Sequence, residues 1–245
     1  MYNMSMELLD REEYKVARAV LFDAINHEGG VLVFSDERGA AVKIGDWYKC
    51  VFNSAADFKA CAEIYGIKKN ACVLGMPLEE VKKLGGEVDA CKTFAYFNDL
   101  PPVVEGLDIK RLAHTLCGVV AENYVSHCYK LSEQEAAEIM KDKGVFGAFV
   151  DSSLAGFIGR HSDGSMGMLT VFDGYKRRGI GGKLEAFMIN YVMTLGRVPF
   201  CDVYTDNDPS LALQQKLGMT EGAGYTFWLD ELPFQVKDDL TKNRP

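Results

Sequence analysis

Residues 172–185 read Phe172-Asp173-Gly174-Tyr175-Lys176-Arg177-Arg178-Gly179-Ile180-Gly181-Gly182-Lys183-Leu184-Glu185. Apolar residues then recur at helical spacing up to Leu195, so a helix is predicted to begin within the glycines and to end at Gly196. A strand is expected just before, over Met166 to Phe172. A glycine-rich turn that opens a helix points unpaired N–H groups and the positive end of the helix dipole at one spot. The stretch therefore predicts a phosphate site.

Spacing separates three other interpretations of these glycines. A Walker loop requires Lys-Ser/Thr directly after its second glycine, whereas Ile180 and Gly181 follow Gly179. A dinucleotide fingerprint requires a third glycine where Leu184 stands, although Asp202 follows at about the distance of a ribose-binding acid. A nicotinamide enzyme therefore stays an alternative. A turn that only connects two elements is disfavoured by the three adjacent cations.

The segment Lys176-x-x-Gly179-x-Gly181-Gly182 resembles the pyrophosphate loop of the GCN5-related N-acetyltransferase (GNAT) superfamily, Gln/Arg-x-x-Gly-x-Gly/Ala. Lys176 stands where Gln or Arg is usual. The resemblance continues in Asn207-Asp208-Pro209-Ser210-Leu211-Ala212-Leu213-Gln214-Gln215-Lys216-Leu217-Gly218-Met219, which is similar to the family's short helix ending in Lys-Leu-Gly-Phe. It covers about residues 108 to 232. The strand around Phe200 and the Asn-x-Pro-Ser helix start resemble the branch that contains glycine N-acyltransferases.

The resemblance implies an acyl-CoA-dependent N-acyltransferase that transfers acetyl from acetyl-CoA, or another acyl group, to a primary amine by direct attack, without a metal. It implies a small-molecule or peptide amine as acceptor. The pantetheine arm would lie along the strand before the loop, and the pyrophosphate would rest on the amides of Arg177 to Gly182. The cofactor-binding residues expected on this basis are Leu169, Thr170, Val171, Lys176, Arg177, Arg178, Gly179, Ile180, Gly181, Gly182, Asn207 and Ser210.

The catalytic groups are less defined. An amine with a pKa of roughly 10 must lose a proton before it attacks, so a general base is needed. His161, in a polar turn near the expected cleft, is the first choice, with a solvated surface histidine as the alternative; Asp173 and Glu122 follow. The family's usual acid is a Tyr, but Gln214 stands at its position, which leaves Tyr204 as a candidate. That absence also motivates a second hypothesis, a non-catalytic acyl-CoA-binding sensor or regulatory protein.

The first half of the chain has a mixed α/β pattern. Predicted helices begin at a capping box of Asp10 and Glu13, at Asn53 or Ser54, and at Pro77. Predicted strands cover residues 31–34 and 41–44, which form a hairpin, and residues 71–74 and 92–97. The linker Asn98-Asp99-Leu100-Pro101-Pro102 suits neither helix nor central strand. We therefore divide the chain into residues 1–105, an α/β domain, and 106–245, the GNAT-like domain.

The second half predicts a helical region from Asp108 to about Tyr124 and a helix that begins at the capping box of Ser132 and Glu135. Strands over 145–150, 154–160 and 166–172 are joined by short turns and form an antiparallel meander. The expected fold class is α/β (α+β), with a mixed, largely antiparallel sheet flanked by helices in the C-terminal domain and a smaller α/β domain before it.

Composition limits the classes of partner. With 48% hydrophobic and 25% charged residues in 245, the chain has ordinary globular composition. Its net charge of -8 gives no basic field for nucleic acid or anionic membranes. The seven cysteines contain no C-x-x-C pair, which predicts neither a disulfide framework nor a zinc site. We expect a cytoplasmic monomer or homodimer without a membrane segment.

Overall fold

A computed structural model describes residues 8–85, 89–126 and 130–236 of the chain. Its helices are α1 (Lys15–His27), α2 (Ala55–Tyr65), α3 (Leu78–Leu84), α4 (Cys117–Asn123), α5 (Glu133–Asp142), α6 (Ile180–Thr194) and α7 (Asp208–Lys216). Its strands are β1 (Val31–Ser35), β2 (Gly39–Ile44), β3 (Trp47–Phe52), β4 (Lys69–Met76), β5 (Cys91–Ala95), β6 (Asp108–Arg111), β7 (Val145–Val150), β8 (Ser153–Arg160), β9 (Met166–Val171), β10 (Phe200–Tyr204), β11 (Thr220–Glu221) and β12 (Tyr225–Glu231).

The first of two compact units contains the described residues up to Ala95, Asp202–Leu211 and those from Thr220 onward. Its sheet runs β1-β2-β3-β4-β12-β5-β10, with β11 also paired to β5. The pairs β1–β2, β2–β3, β4–β12, β5–β12 and β5–β11 are antiparallel, whereas β3 and β4 run parallel. Helices α2 and α3 pack on this sheet through Phe58 and Val81, which share a buried cluster with Phe227 of β12.

The second unit contains Tyr96–Cys201 and Ala212–Met219. Its four-stranded sheet runs β6-β7-β8-β9 and is antiparallel throughout. Successive side chains of a strand point to opposite faces. Accordingly Val145 of β7 packs into the cluster formed by α4 and α5, while Phe146 packs against Phe187 and Tyr191 of α6. This sheet therefore carries helices on both faces.

Most predicted elements are confirmed, and their ends follow local chemistry. Ser54 caps α2 by accepting a hydrogen bond from the Asp57 N–H, and Gly66 ends that helix in the left-handed conformation. The capping box of Ser132 and Glu135 starts α5. The fold class is confirmed: a mixed α/β protein whose largely antiparallel sheets are flanked by helices.

Three expectations about elements were wrong or incomplete. Residues 108–111 form strand β6 because their backbone pairs with β7, so the helical region there is limited to a short 3₁₀ turn and α4. The Asp10 side chain does not cap α1; it forms an ion pair with Arg18 at 3.1 Å, and α1 begins at Lys15. Strand β3, Trp47–Phe52, was not predicted.

The compact units also differ from the single division expected between residues 105 and 106. The chain leaves the first unit after Ala95, returns at Asp202 and again at Thr220. The physical reason is β12, which lies between β4 and β5, so the end of the chain completes the sheet that the beginning starts. The unit with the N-terminal strands was expected to be the smaller one, but its sheet has eight strands and the sheet of the second unit has four.

Candidate functional site

The turn before α6 presents a run of main-chain N–H groups without internal acceptors. Arg177 and Gly179 adopt left-handed conformations, with φ of 62° and 76°, and α6 begins directly afterwards at Ile180. Lys183 is the first residue of α6 whose N–H is bonded to the turn, to the Gly179 carbonyl at 3.2 Å. The Arg178 N–H closes the turn over residues 176–177, and the amides of residues 179–182 donate to no residue that the structure describes. Four consecutive amides are thus open to an anion at the positive end of a 15-residue helix.

The three cations of the turn have different surroundings. Lys176 Nζ lies 2.7 Å from Asp173 Oδ1, and the Arg178 guanidinium lies 5.5 Å from the centre of the Tyr175 ring. Arg177 is exposed and forms no ion pair or hydrogen bond with the described part of the chain. Arg177 is therefore the cation of this turn that is least committed to a neighbour.

Strand β9 lies next to this turn and has an open edge. A Cβ atom placed on Gly181 would lie 3.6 Å from Val171 and 3.9 Å from Leu169, so the glycine turn and the end of β9 are in contact. Among the described strands β9 pairs only with β8. The Phe172 N–H bonds to Ala155 behind it, and alternation therefore turns the main chain of Val171 and Leu169 toward the open edge. Thr170 faces β8 instead.

A bulge interrupts β9 in the middle. Phe157 of β8 pairs with Thr170 and Gly159 pairs with Gly167, so Met168 and Leu169 together oppose Ile158 alone. Met168 has φ of 58°, which a side chain other than glycine seldom adopts. Bulges of this kind redirect main-chain groups and occur often next to active sites. The bulge places the Leu169 amide outside the regular hydrogen-bond ladder.

A buried polar pair lies under the turn. Glu185 of α6 is only 3% exposed, and Gln214 of α7 is equally buried. Burial raises the pKa of the Glu185 carboxyl to about 7, and a hydrogen bond donated by the Gln214 side chain partly opposes that rise. The Gln214 Oε1 atom is buried and has no hydrogen-bond partner among the described residues. From the sequence, Gln214 was notable only because it stands where the family usually has a tyrosine, and Glu185 was not predicted as a site residue.

The four candidate catalytic residues lie on different elements. His161 lies in the turn between β8 and β9, its ring centre 6.1 Å from that of Tyr124. Asp173 is exposed, and the hydrogen bond from Lys176 lowers the pKa of its carboxyl, which weakens it as a base. Glu122 is exposed on α4. Tyr204 lies on β10 among the residues of the first unit.

Asn207 and Ser210 also belong to the first unit. Asn207 accepts a hydrogen bond from the Ser210 N–H at 3.2 Å, and its carbonyl accepts from Leu211. Both contacts close the first turn of α7, so the structure gives these residues a helix-capping role. Their predicted contact with a cofactor stays a prediction.

Two features of the site were missed, and each had a signal in the sequence. Gly159 and Gly167 interrupt strand patterns, and a glycine inside a strand is a known sign of a bulge. Glu185 is a charged residue within the apolar stripe of the predicted helix. No three His, Cys, Asp or Glu side chains converge as metal ligands within the described residues. Nor do those residues form a helix long and apolar enough to cross a bilayer.

Comparison with known families agrees with this arrangement. The family model described as FR47-like protein, which is related to GNAT, matches residues 144–229, from the start of β7 into β12. Residues 144–229 are therefore similar to the FR47-like family. The match contains the glycine turn, the open strand β9 and Gln214. No curated protein sequence matches the chain.

Several solved structures are similar over most of the chain. A Drosophila protein is 17% identical, with a TM-score of 0.57 over 80% of this chain and 74% of its own. A GCN5-related N-acetyltransferase from Kribbella flavida is 12% identical, with a TM-score of 0.51 over 89% and 94% of the two chains. A GNAT-family acetyltransferase from Colwellia psychrerythraea gives the same identity and TM-score over 89% and 96%. At these identities the similarity establishes the fold.

Proposed function

We propose that this protein is an acyl-CoA-dependent N-acyltransferase that transfers an acetyl group from acetyl-CoA to a primary amine. The amine would belong to a small molecule or a peptide. The observation that carries the proposal is the run of four amides, residues 179–182, that have no acceptor within the described structure. A diphosphate supplies the acceptor oxygens that such a run requires, and the helix dipole favours its charge.

The open edge of β9 supports an extended ligand beyond the diphosphate. The pantetheine arm contains amide groups, and an extended chain can add to an exposed strand edge through main-chain hydrogen bonds. Val171 and Leu169 turn their main-chain groups toward that edge and adjoin Gly181. An arm running from the turn along β9 would lead toward Met166 and His161, about 17 Å away at 3.3 Å per residue.

The chemistry that we propose for this site is direct attack. The neutral amine adds to the thioester carbonyl, the C–N bond forms, and the C–S bond breaks with release of CoA thiolate. The Leu169 amide at the bulge would stabilise the negative charge on the carbonyl oxygen. His161, half-buried and next to Tyr124, is the proposed base that takes the amine proton. The glycine N-acyltransferase-like branch stays a prediction.

The substitution Gly181→Glu tests this proposal. Gly181 lies in the first helical turn, where a Cβ would make ordinary van der Waals contacts with Val171 and Leu169, and circular dichroism checks that the variant is folded. A carboxylate at this position would repel a diphosphate and occupy the space in which the diphosphate is proposed to bind. We expect the affinity for acetyl-CoA, measured by calorimetry, to fall at least about 100-fold, which is about 2.8 kcal/mol.

Gly174→Glu is the matched control. It makes the same change in the same turn, but outside the amide run and where a Cβ meets open space. It should bind acetyl-CoA as the wild type does. Equal affinity of Gly181→Glu and wild type would refute the diphosphate seat.

A second candidate function is a non-catalytic acyl-CoA sensor. The observation that favours it is Gln214, which is buried and cannot protonate a leaving thiolate. Release of free thiol from acetyl-CoA over a panel of amines distinguishes the two. Thiol release with any amine supports the transferase, whereas binding without release over the whole panel supports the sensor.

A further inference from the structure

Glu185 of the Glu185–Gln214 pair lies on α6 one turn after the glycines of the proposed diphosphate seat. Glu185 follows Gly181 by four residues, so the two positions share a face of α6 about one turn apart. A helical side chain leans toward the N-terminus of its helix and covers the preceding turn. That turn is formed by Gly181 and Gly182, which have no side chains to separate the carboxyl from the amides.

Helix α7 closes the other side of the pair. A Cβ on Gly182 would lie 3.5 Å from Leu213, the neighbour of Gln214. Gln214 is therefore held against the same turn, and its side chain donates to Glu185 while its Oε1 atom has no partner within the described residues. The carboxyl is enclosed between the glycine turn and α7.

No opposite charge compensates Glu185. The Glu185 carboxyl forms no ion pair with a residue that the structure describes, and burial is the main cause that raises its pKa. Strands β7 and β9 carry no titratable residue. The ionisable side chains on the remaining neighbouring elements are Lys183 and Tyr191 of α6, Arg160 of β8, Asp208 and Lys216 of α7, Asp99 and Glu105 before β6, and Asp173, Tyr175, Lys176, Arg177 and Arg178 of the turn.

We propose that the Glu185–Gln214 pair couples the binding of a diphosphate at residues 179–182 to the uptake of one proton by the Glu185 carboxyl. This inference rests on the proposed function. A carboxylate about one helical turn from the bound phosphates would repel them with little solvent between, whereas the neutral acid would not. Glu185 is thus an affinity-determining and positioning residue of the site.

The direction of the pH dependence follows from linkage. The free carboxyl has a pKa of about 7, and the bound anion should raise it further. Binding is then pH-independent below about 7, where the carboxyl already holds its proton, and weakens as the pH rises to the pKa in the complex. The dissociation constant should increase about tenfold from pH 7 to pH 9.

Acetyl-CoA is the probe for the experiment, because its thioester has no thiol that titrates in this range. Calorimetry at pH 8 in two buffers of different ionisation enthalpy counts the protons taken up. We expect about half a proton or more per acetyl-CoA for the wild type and none for Glu185→Gln, a neutral side chain of the same shape. The variant should bind at pH 9 about as tightly as at pH 7.

A second variant, Gln214→Met, tests the coupling if Glu185→Gln fails to fold. Gln214→Met removes the hydrogen bond that lowers the pKa of Glu185, so the onset of weakening should move to higher pH. Equal proton uptake and equal pH dependence in wild type and variants would overturn the coupling alone. Failure of the wild type to bind acetyl-CoA at any pH would overturn the diphosphate seat and the coupling with it.

Discussion

At the scale of single residues, the site depends on two glycines, Gly181 and Gly182, because they have no side chains. Gly181 and Gly182 bring a buried carboxyl and a run of open amides within one turn of each other. Glu185 is an unusual choice for that position, since an ionised carboxyl in an apolar surrounding costs several kcal/mol. The polypeptide accommodates the carboxyl through the Gln214 side chain and by retaining its proton below about pH 7.

This arrangement predicts a stability that falls with pH. The Glu185 carboxyl has a pKa of about 7 when folded and an ordinary value of 4.5 in the unfolded chain. The folded state therefore holds the proton more tightly, so the stabilisation is complete below about pH 4.5 and is lost as the pH rises through 7. The loss amounts to roughly 3 kcal/mol.

Urea denaturation at pH 5 and pH 8 measures this effect. The free energy of unfolding of the wild type should fall, relative to Glu185→Gln, by roughly 2.5 kcal/mol between the two pH values. Parallel pH dependence of wild type and variant would contradict a buried carboxyl with a raised pKa. No ligand is needed, so this result is independent of the proposed function.

At the scale of secondary structure elements, the β8–β9 hairpin carries both the residues proposed to bind acetyl-CoA and the proposed base, His161. Its bulge exposes the Leu169 amide, its end touches Gly181, and its turn holds His161. The turn is tight, with the His161 N–H donating to the Ser165 carbonyl at 2.8 Å. Gly167 lies beside the imidazole, and a Cβ there would come within 2.3 Å of His161 Nε2.

Gly167→Ala therefore tests the role of His161 without changing the histidine. The added methyl group must displace the imidazole, and we expect kcat to fall about 100-fold, as it does when a general base is lost. The dissociation constant for acetyl-CoA should stay unchanged, because the amide run lies at the other end of β9. Steady-state kinetics and calorimetry measure the two quantities.

Gly174→Ala is the control, since its Cβ meets open space, and it should leave both quantities unchanged. His161→Gln should reproduce the loss of kcat. If both Gly167→Ala and His161→Gln keep the kcat of the wild type, His161 is not the base.

At the scale of the whole molecule, strand β12, which comes late in the sequence, completes the sheet that begins with β1. Strand β12 lies between β4 and β5, and it contributes Phe227 and Leu229 to the cluster around α2 and α3. A sheet that lacks such a strand leaves two rows of main-chain groups without partners and an apolar face uncovered. The early strands therefore depend on residues far along the sequence.

A fragment of residues 1–105 tests this dependence. It lacks β12 and should show no cooperative thermal unfolding by circular dichroism, in contrast with the full chain. Addition of residues 220–236 at the C-terminus through a flexible linker restores β12 and should recover a cooperative transition. A cooperative transition of the unmodified fragment would show that residues 1–105 fold alone.

Local chemistry determined much of this protein from sequence alone. The caps at Ser54 and Ser132, the meander of β7, β8 and β9, and the start of α6 within the glycines all follow from side chains close in sequence to the backbone they satisfy. The open amides at the start of α6 are also predictable from the sequence, because the first N–H groups of any helix have no acceptor within the helix.

Tertiary structure decided what depends on distant partners. Residues 108–111 form a strand only because β7 offers an edge, and β12 enters the first sheet only because β4 and β5 leave a gap for it. Glu185 and Gln214 are 29 positions apart, and neither sequence window reveals that they share one buried site. Pairing and burial depend on the approach of segments through space, and the local pattern of residues does not encode which segments approach.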